Sequence, residues 1–321
     1  MSSELKSLRL GTRGSLLART QSQLVATQLE ATHAGLRVEL VIIKTTGDII
    51  ADKPLHDAGG KGLFTKELEL ALLAGEVDFA VHSFKDVPVT MPLVDSAELV
   101  IAATPRREDP RDVLAMRANG GEPPLRGLSD LPNGAKVGTG SLRRRCQILL
   151  HRPDVVIQPI RGNIDTRLRK LDAGEHDAII LAMAGLRRTG LFDPARMIAL
   201  DPQEMLPSPG QGALALQCRR GDEVTRHLLA ELHHPLTATC VAAERELILK
   251  LHGDCHSPIA ALAKITEKTL HLRAAVGGRD GGLPVIFAGA FGDVGAFQAI
   301  TNDCFESLSR QNVEHLLAPG R

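Results

Sequence analysis

Between Arg143 and Arg188 the chain places nine arginines and Lys170 against five acids. A guanidinium forks onto a carboxylate or phosphate with two parallel hydrogen bonds, so arginine at this density points to an anionic ligand. Position sharpens the point. Arg143 and Arg144 fall in the first turn of a helical segment behind Gly138-Thr-Gly-Ser141, whose free backbone N–H groups also favour anions. Arg161 follows a strand-type run, Arg167 lies one turn into the next helix, and Arg188 follows the apolar run at 177–183. Arg13 holds the equivalent place in Gly11-Thr-Arg-Gly-Ser15. Arg145, Arg152 and Arg169 read instead as solvated helix faces.

Two further groupings carry reactive side chains. His82-Ser-Phe-Lys85-Asp86 closes a strand of buried type. A carboxylate beside an ammonium there suits the stabilisation of a developing cation, and equally suits a structural ion pair. His252-Gly-Asp-Cys255-His256-Ser-Pro258 reads three ways. As a metal site it lacks a fourth ligand. As a nucleophile Cys255 has imidazoles nearby to lower its thiol pKa. As structure it is one more small packed residue. Cys146, inside an amphipathic helix, reads as core. Gly59-Gly-Lys61-Gly-Leu-Phe64 reads as a lid with a cationic tip at Lys61. It is not a nucleotide P-loop, because the Lys-Ser/Thr ending and the spacing are absent.

These residues need elements to hold them. Short apolar runs at 7–11, 37–45 and 77–82 alternate with helical patterns at 15–31, capped by Ser15, and at 63–74, stopped by Gly75. After a Pro- and charge-rich hinge at 104–110 the alternation returns: strands near 136–141, 155–159 and 177–183, helices at 142–151 and 163–171. Strands separated by helices imply right-handed βαβ units and a parallel sheet. Two local matches relate the halves. Gly11-Thr-Arg-Gly-Ser15 is similar to Gly138-Thr-Gly-Ser141, and Ala74-Gly-Glu-Val-Asp78 to Ala173-Gly-Glu-His-Asp177. The expectation is an α/β protein with two similar lobes of the periplasmic-binding-protein type, mostly parallel sheets, and a ligand at the carboxyl ends of the strands. The first lobe spans 1–103 and 207–230, and the second 104–206. Residues 231–321 form a small α+β C-terminal domain. It has a helix at 237–251, a loop, strands at 270–276 and 284–290, and a last helix at 294–309.

Composition trims the classes. The 321 residues carry 38 Lys+Arg against 38 Asp+Glu, with 27 Arg among the cations and no Trp or Tyr. Even charge argues against a polyanion bound over the whole surface, and single-stranded nucleic acid usually needs aromatic platforms. The longest apolar stretch is about half of a bilayer span. The N-terminus has no apolar h-region. Five cysteines without a Cys-x-x-Cys pair argue against a disulfide framework or a zinc ribbon. The chain reads as a cytoplasmic protein with reduced thiols, with no metal, no nucleic-acid partner and no membrane partner. Solute receptors and regulator effector domains share the two-lobed plan. The missing signal segment argues against the first and the missing helix-turn-helix against the second.

Seven blocks in order resemble the porphobilinogen deaminase (hydroxymethylbilane synthase) family. They are Gly11-Thr-Arg-x-Ser15, Gly59-Gly-Lys-Gly-Leu-Phe64, His82-Ser-x-Lys-Asp-Val-Pro88, Gly138-Thr-x-Ser-Leu-Arg-Arg144, Arg161-Gly-Asn-x-Asp-Thr-Arg167, Gly210-Gln-Gly-Ala213 and Glu244-Arg with Gly-x-Cys255. The resemblance covers nearly the whole chain. It implies head-to-tail condensation of four porphobilinogens with loss of ammonia, through oligopyrrole intermediates. A monomer is expected, since nothing in the sequence suggests a large exposed apolar face. The resemblance further implies a dipyrromethane cofactor joined by a thioether to Cys255, and Asp86 and Lys85 as catalytic groups. Lys85, Ser83, Thr139, Ser141, Arg143, Arg144 and Arg188 would hold the cofactor; Arg13, Ser15, Arg161 and Arg167 the substrate; Lys61 would sit on the lid. Five positions depart from the family pattern: Leu16 stands where Pro is common, Arg19-Thr20 where an aromatic-Gln pair is common, Gly140 replaces a usual Ser and Asp254 a usual Gly.

Overall fold

The computed structural model describes residues 7–46, 62, 65–117, 126–254 and 257–318. The chain opens with β1 (Ser7–Thr12), α1 (Leu16–Thr32), β2 (Arg37–Ile42), α2 (Lys66–Leu73), β3 (Phe79–Ser83) and β4 (Leu99–Ala103). It continues through β5 (Asp112–Met116), β6 (Lys136–Gly138), α3 (Leu142–His151), β7 (Val156–Gln158), α4 (Ile164–Asp172), β8 (Ala178–Ala182), α5 (Met183–Thr189) and β9 (Met197–Ala199). It then returns as β10 (Leu214–Arg219) and α6 (Glu223–Ala230). The C-terminal portion holds α7 (Pro235–Lys250), β11 (Ile259–Thr266), β12 (Thr269–Val276), β13 (Ile286–Asp293), α8 (Phe297–Ser309) and α9 (Val313–Leu317).

Two five-stranded sheets share one plan. The first runs β2-β1-β3-β10-β4 and the second β7-β6-β8-β5-β9. In each, the first three strands are parallel and the fourth is antiparallel to both neighbours. That reversed strand is the one the chain forms just after crossing from the other lobe. The mostly parallel, two-lobed α/β architecture is therefore as expected, with the repeat extending to strand order. The third sheet, β11-β12-β13, is wholly antiparallel. The chain divides into two compact units, Met1–Arg107 with Ala213–Ala238, and Glu108–Gly212 with Thr239–Arg321.

Local chemistry explains the elements. Ser15 caps α1, its Oγ accepting from the Ala18 N–H at 3.3 Å. The buried stripe of α1 is Gln21, Ser22, Val25, Ala26 and Leu29, whereas Leu24 is exposed. The polar members are satisfied: Ser22 donates to Thr12 Oγ1 at 2.7 Å, and the Gln21 amide lies 3.1 Å from Ser83 Oγ. Val25 and Leu29 pack with Leu10, Phe79 and Leu216. In the second lobe Val137, Ile148 and Ile180 lie in one core cluster and Leu168, Ile179 and Leu181 in another. Alternate residues of β8 thus serve opposite faces, as a strand covered on both sides requires. Several short elements, among them β4, β5, β9, α5 and α6, carried no expectation, and one stretch departs from its reading: 259–266, read as loop, is β11. Its first five residues are all buried, so the alternation that marks a half-exposed strand is missing.

Candidate functional site

In the first unit β1 and β3 are parallel neighbours, so their carboxyl ends lie side by side. Arg13 and Ser15 follow one strand, and Ser83, Lys85 and Asp86 close the other. Phe84–Asp86 is a single 3₁₀ turn. Phe84 is its buried anchor, with its N–H donating to the Ala213 carbonyl at 3.0 Å and its own carbonyl accepting from Val87 at 3.1 Å. The result is an exposed Asp86 beside a half-buried Lys85, at the end of a strand whose first four residues are buried. His82, at the end of that strand, is 5% exposed and bonds through Nε2 to Gln217 Oε1 at 3.0 Å. Burial pushes its imidazole down to about 4 against the pull of the Gln217 bond, and the nearby Arg13 charge acts in the same direction as burial. His82 is therefore neutral near pH 7.

The second unit gathers the arginines. Thr139 Oγ1 accepts from the Ser141 N–H at 3.2 Å, and Ser141 caps α3 by accepting from the Arg144 N–H. The side chains of Arg143 and Arg144 turn inward onto Asp112, which is fully buried. Arg143 Nη1 donates to Asp112 Oδ2 and to the Leu206 carbonyl, both at 2.7 Å. Arg144 Nη2 donates to Asp112 Oδ1 and Nη1 to the Ile180 carbonyl, both at 2.8 Å. Gln211 Nε2 also donates to Asp112 Oδ1, at 3.0 Å. Burial alone would raise the Asp112 pKa. The two guanidinium charges overcome it and hold the carboxyl well below the usual range.

Arg188, after β8, donates from Nη2 to the Gly212 carbonyl at 2.7 Å, while its buried Nε has no partner among the described residues. Burial pushes this guanidinium down to about 10, with Glu108 acting in the opposite sense, so it stays cationic. Arg161 and Arg167 flank the turn that opens α4, and Arg167 Nε donates to the Gly162 carbonyl at 2.8 Å. The turn requires glycine: Gly162 has φ +107°, and a Cβ there would strike Thr166.

Lys61 and Cys255 lie outside the described residues. Beside the latter, Asp254 Oδ1 accepts from both the N–H and the hydroxyl of Ser257 at 2.9 Å. Cys146, Cys218, Cys240 and Cys304 are buried thiols outside any disulfide. Among the described residues no group of three or more His, Cys, Asp or Glu is placed to hold a metal, and no helix is long and apolar enough to cross a membrane. Sequence reasoning missed Asp112, Gln217 and Glu69. Asp112 opens an apolar strand as a lone acid, Gln217 sits inside another, and Glu69 lies on a helix among other charges, so none carries a spacing signal.

Comparison with known proteins follows from this geometry. A family model described as porphobilinogen deaminase, dipyromethane cofactor binding domain, matches residues 8–227. A second, porphobilinogen deaminase, C-terminal domain, matches residues 238–288. A porphobilinogen deaminase of Syntrophobacter fumaroxidans is 51% identical over 274 residues, 85% of either chain. Among solved structures, the BenM effector binding domain with its effector benzoate aligns at TM-score 0.41 and 17% identity, covering 72% of this chain and 91% of that one. A probable amino-acid ABC transporter extracellular-binding protein, ytmK from Bacillus subtilis, aligns at TM-score 0.38 and 12% identity, covering 71% and 90%.

Proposed function

The chain belongs to the porphobilinogen deaminase family, and on that premise we propose that its arginines hold pyrrole carboxylates while Asp86 and Lys85 serve the reacting ring. The enzyme is a transferase that condenses four porphobilinogens head to tail into hydroxymethylbilane, releasing ammonia, in tetrapyrrole biosynthesis. Its matched domain is of the kind that binds a dipyrromethane cofactor.

The observation that carries the assignment is the cationic excess in the second unit. Two buried guanidiniums share one carboxylate at Asp112, leaving a net positive charge in a nearly dry place, and Arg188 Nε has no acceptor among the described residues. Buried charge without a counter-charge costs roughly several kcal/mol. An anion received there is favourable on both counts. Each pyrrole ring brings an acetate and a propionate, so a dipyrromethane with four carboxylates fits this donor set. Arg143, Arg144 and Arg188 would hold it, with Thr139, Ser141, Ser83 and Lys85, and Cys255 would anchor it through a thioether. When bound, the dipyrromethane supplies the free pyrrole α-carbon from which the chain is extended.

Arg13, Ser15, Arg161 and Arg167 orient the incoming porphobilinogen by its carboxylates. The Asp86 carboxylate stabilises the positive charge that develops on the substrate ring as ammonia leaves, and Lys85 keeps that carboxylate oriented. Lys61 is assigned to a lid over the substrate. Residues 231–321 are assigned as the small domain that carries the anchor cysteine. Small pyrroles are the partners in this reading, rather than nucleic acid or membrane. The even balance of 38 cations and 38 acids supports that choice of partner, and in the same reading the enzyme works as a cytoplasmic monomer.

Intact mass tests the anchor. The purified enzyme is expected to exceed its chain mass by two pyrrole units, and Cys255→Ala to abolish the excess. A Cys255→Ala protein that keeps the excess would remove Cys255 from this role. Asp86→Asn tests the chemistry: it should keep the cofactor yet lose turnover, and near-normal product formation would exclude Asp86.

A further inference from the structure

Glu69 is fully buried on α2, yet its described partners are all neutral N–H donors. Oε2 accepts from the backbone of Leu93 at 2.9 Å and of Val94 at 2.8 Å. Oε1 accepts from Gln217 Nε2 at 3.0 Å and more weakly from Leu93 at 3.2 Å. A carboxylate only accepts, so Gln217 must turn its NH₂ towards it. The Gln217 oxygen then meets His82 Nε2 at 3.0 Å. An acceptor at that place requires Nε2 to carry the ring proton, and in a neutral ring Nδ1 is left bare. Three residues on α2, β10 and β3, all within 5% exposure, thus form one directional chain. The charge facing His82 from the end of β1 is Arg13, which disfavours a second proton on the ring.

We propose that Glu69 and Gln217 are positioning residues, which lock His82 as its Nε2–H tautomer and thereby hold the strand end that presents Lys85 and Asp86. The inference rests on the reading of Asp86 given above. Its physical content is that both sides of the Phe84–Asp86 turn hang on one buried carboxylate. The strand entering the turn is held through Gln217 and His82. The segment leaving it is held directly, through the N–H groups of Leu93 and Val94. Preorganisation of this kind matters because a small displacement of a catalytic group is costly in rate.

Glu69→Gln gives the test an unusual sign. The oxygen of the introduced amide would keep Leu93 and Val94, leaving its NH₂ facing Gln217. Gln217 must then rotate, its own NH₂ must face His82, and the ring proton must move to Nδ1. We would record ¹⁵N shifts of the His82 ring in the cofactor-loaded enzyme, assigned against His82→Asn. The native ring is expected as Nε2–H, unchanged between about pH 6 and 8. In the Glu69→Gln variant the ring is expected as Nδ1–H. The variant's kcat should fall about tenfold, with KM for porphobilinogen held within about twofold. A native ring protonated on Nδ1, or one that titrates in that range, overturns the relay, and this measurement needs no variant of the relay to fold. An inverted tautomer with unchanged kcat overturns the positioning role. Should Asp86→Asn retain turnover, the catalytic reading fails while the tautomer measurement still stands.

Discussion

Asp112 shows how much one carboxylate can be asked to do. It receives Arg143, Arg144 and Gln211 with two oxygens and no access to water. Asp112→Asn would leave two guanidiniums buried beside a neutral amide, and breaking such a cluster costs about 3–5 kcal/mol. Urea unfolding at pH 7 should show that loss. The pH dependence has a definite sign. Because the folded Asp112 pKa is depressed, its contribution is complete above the unfolded value of about 4. It is lost only as pH falls below that value towards the folded one, so the gap between native and variant enzyme should narrow there. A gap that widened on acidification would contradict the pairing. Gly140 is a milder case. A Cβ at that position meets only the Ile160 carbonyl at 3.5 Å, an ordinary contact, so the departure from the family's serine reflects no steric demand.

At the scale of elements, the two lobes are built by the same rule: three parallel strands, then a reversed strand that arrives from the opposite lobe. The segments that make these crossings meet at Glu108 and Gly212, where the Glu108 N–H donates to the Gly212 carbonyl at 3.1 Å. The same carbonyl accepts from Arg188. Gly212 has φ +87°, and a Cβ on it would press into the Glu108 carbonyl oxygen. Gly212→Ala therefore combines backbone strain with a main-chain clash and should cost about 2 kcal/mol or more. Thermal unfolding would measure this. An unchanged midpoint would mean that the crossing relaxes freely. Turnover should fall further than stability predicts, because the acceptor of Arg188 moves with the strand.

For the molecule as a whole, charge is balanced in total and uneven in place. Ten cations stand against five acids between 143 and 188, and the compensating acids lie elsewhere. Substrates that bring two carboxylates per ring should feel this local field, which salt screens with a Debye length of about 10 Å at 0.1 M. Raising ionic strength from about 0.02 to 0.5 M should raise KM for porphobilinogen several-fold while barely moving the unfolding midpoint. A KM indifferent to salt would argue against carboxylate recognition by these arginines. The C-terminal portion is tied into the second unit by Glu244 of α7. Its buried carboxylate accepts from Gly210 N at 2.7 Å and Ala263 N at 2.8 Å. The Gly210 turn, which carries Gln211 to Asp112, is thereby joined to the helix that leads towards Cys255.

Much of this was legible in the order of residues. Strand and helix periodicities located both α/β lobes, Ser15 announced its cap, and seven blocks in order carried the family. Those signals are local, set by a few neighbouring residues and the repeat of strand or helix. β11 escaped because a strand buried along most of its length shows no alternation. What only the tertiary structure decided are the pairings between residues distant in sequence. Arg143 and Arg144 look in sequence like two ligands at a helix N-terminus. Folding brings Asp112, 31 and 32 positions earlier, beneath them, so their charge is partly used before any ligand arrives. Gln217 and Glu69 lie 148 positions apart, and only the sheet that seats β10 beside β3 makes them partners of His82. Charge and hydrogen bonding act through space, and chain order alone does not say which buried donor will meet which acceptor.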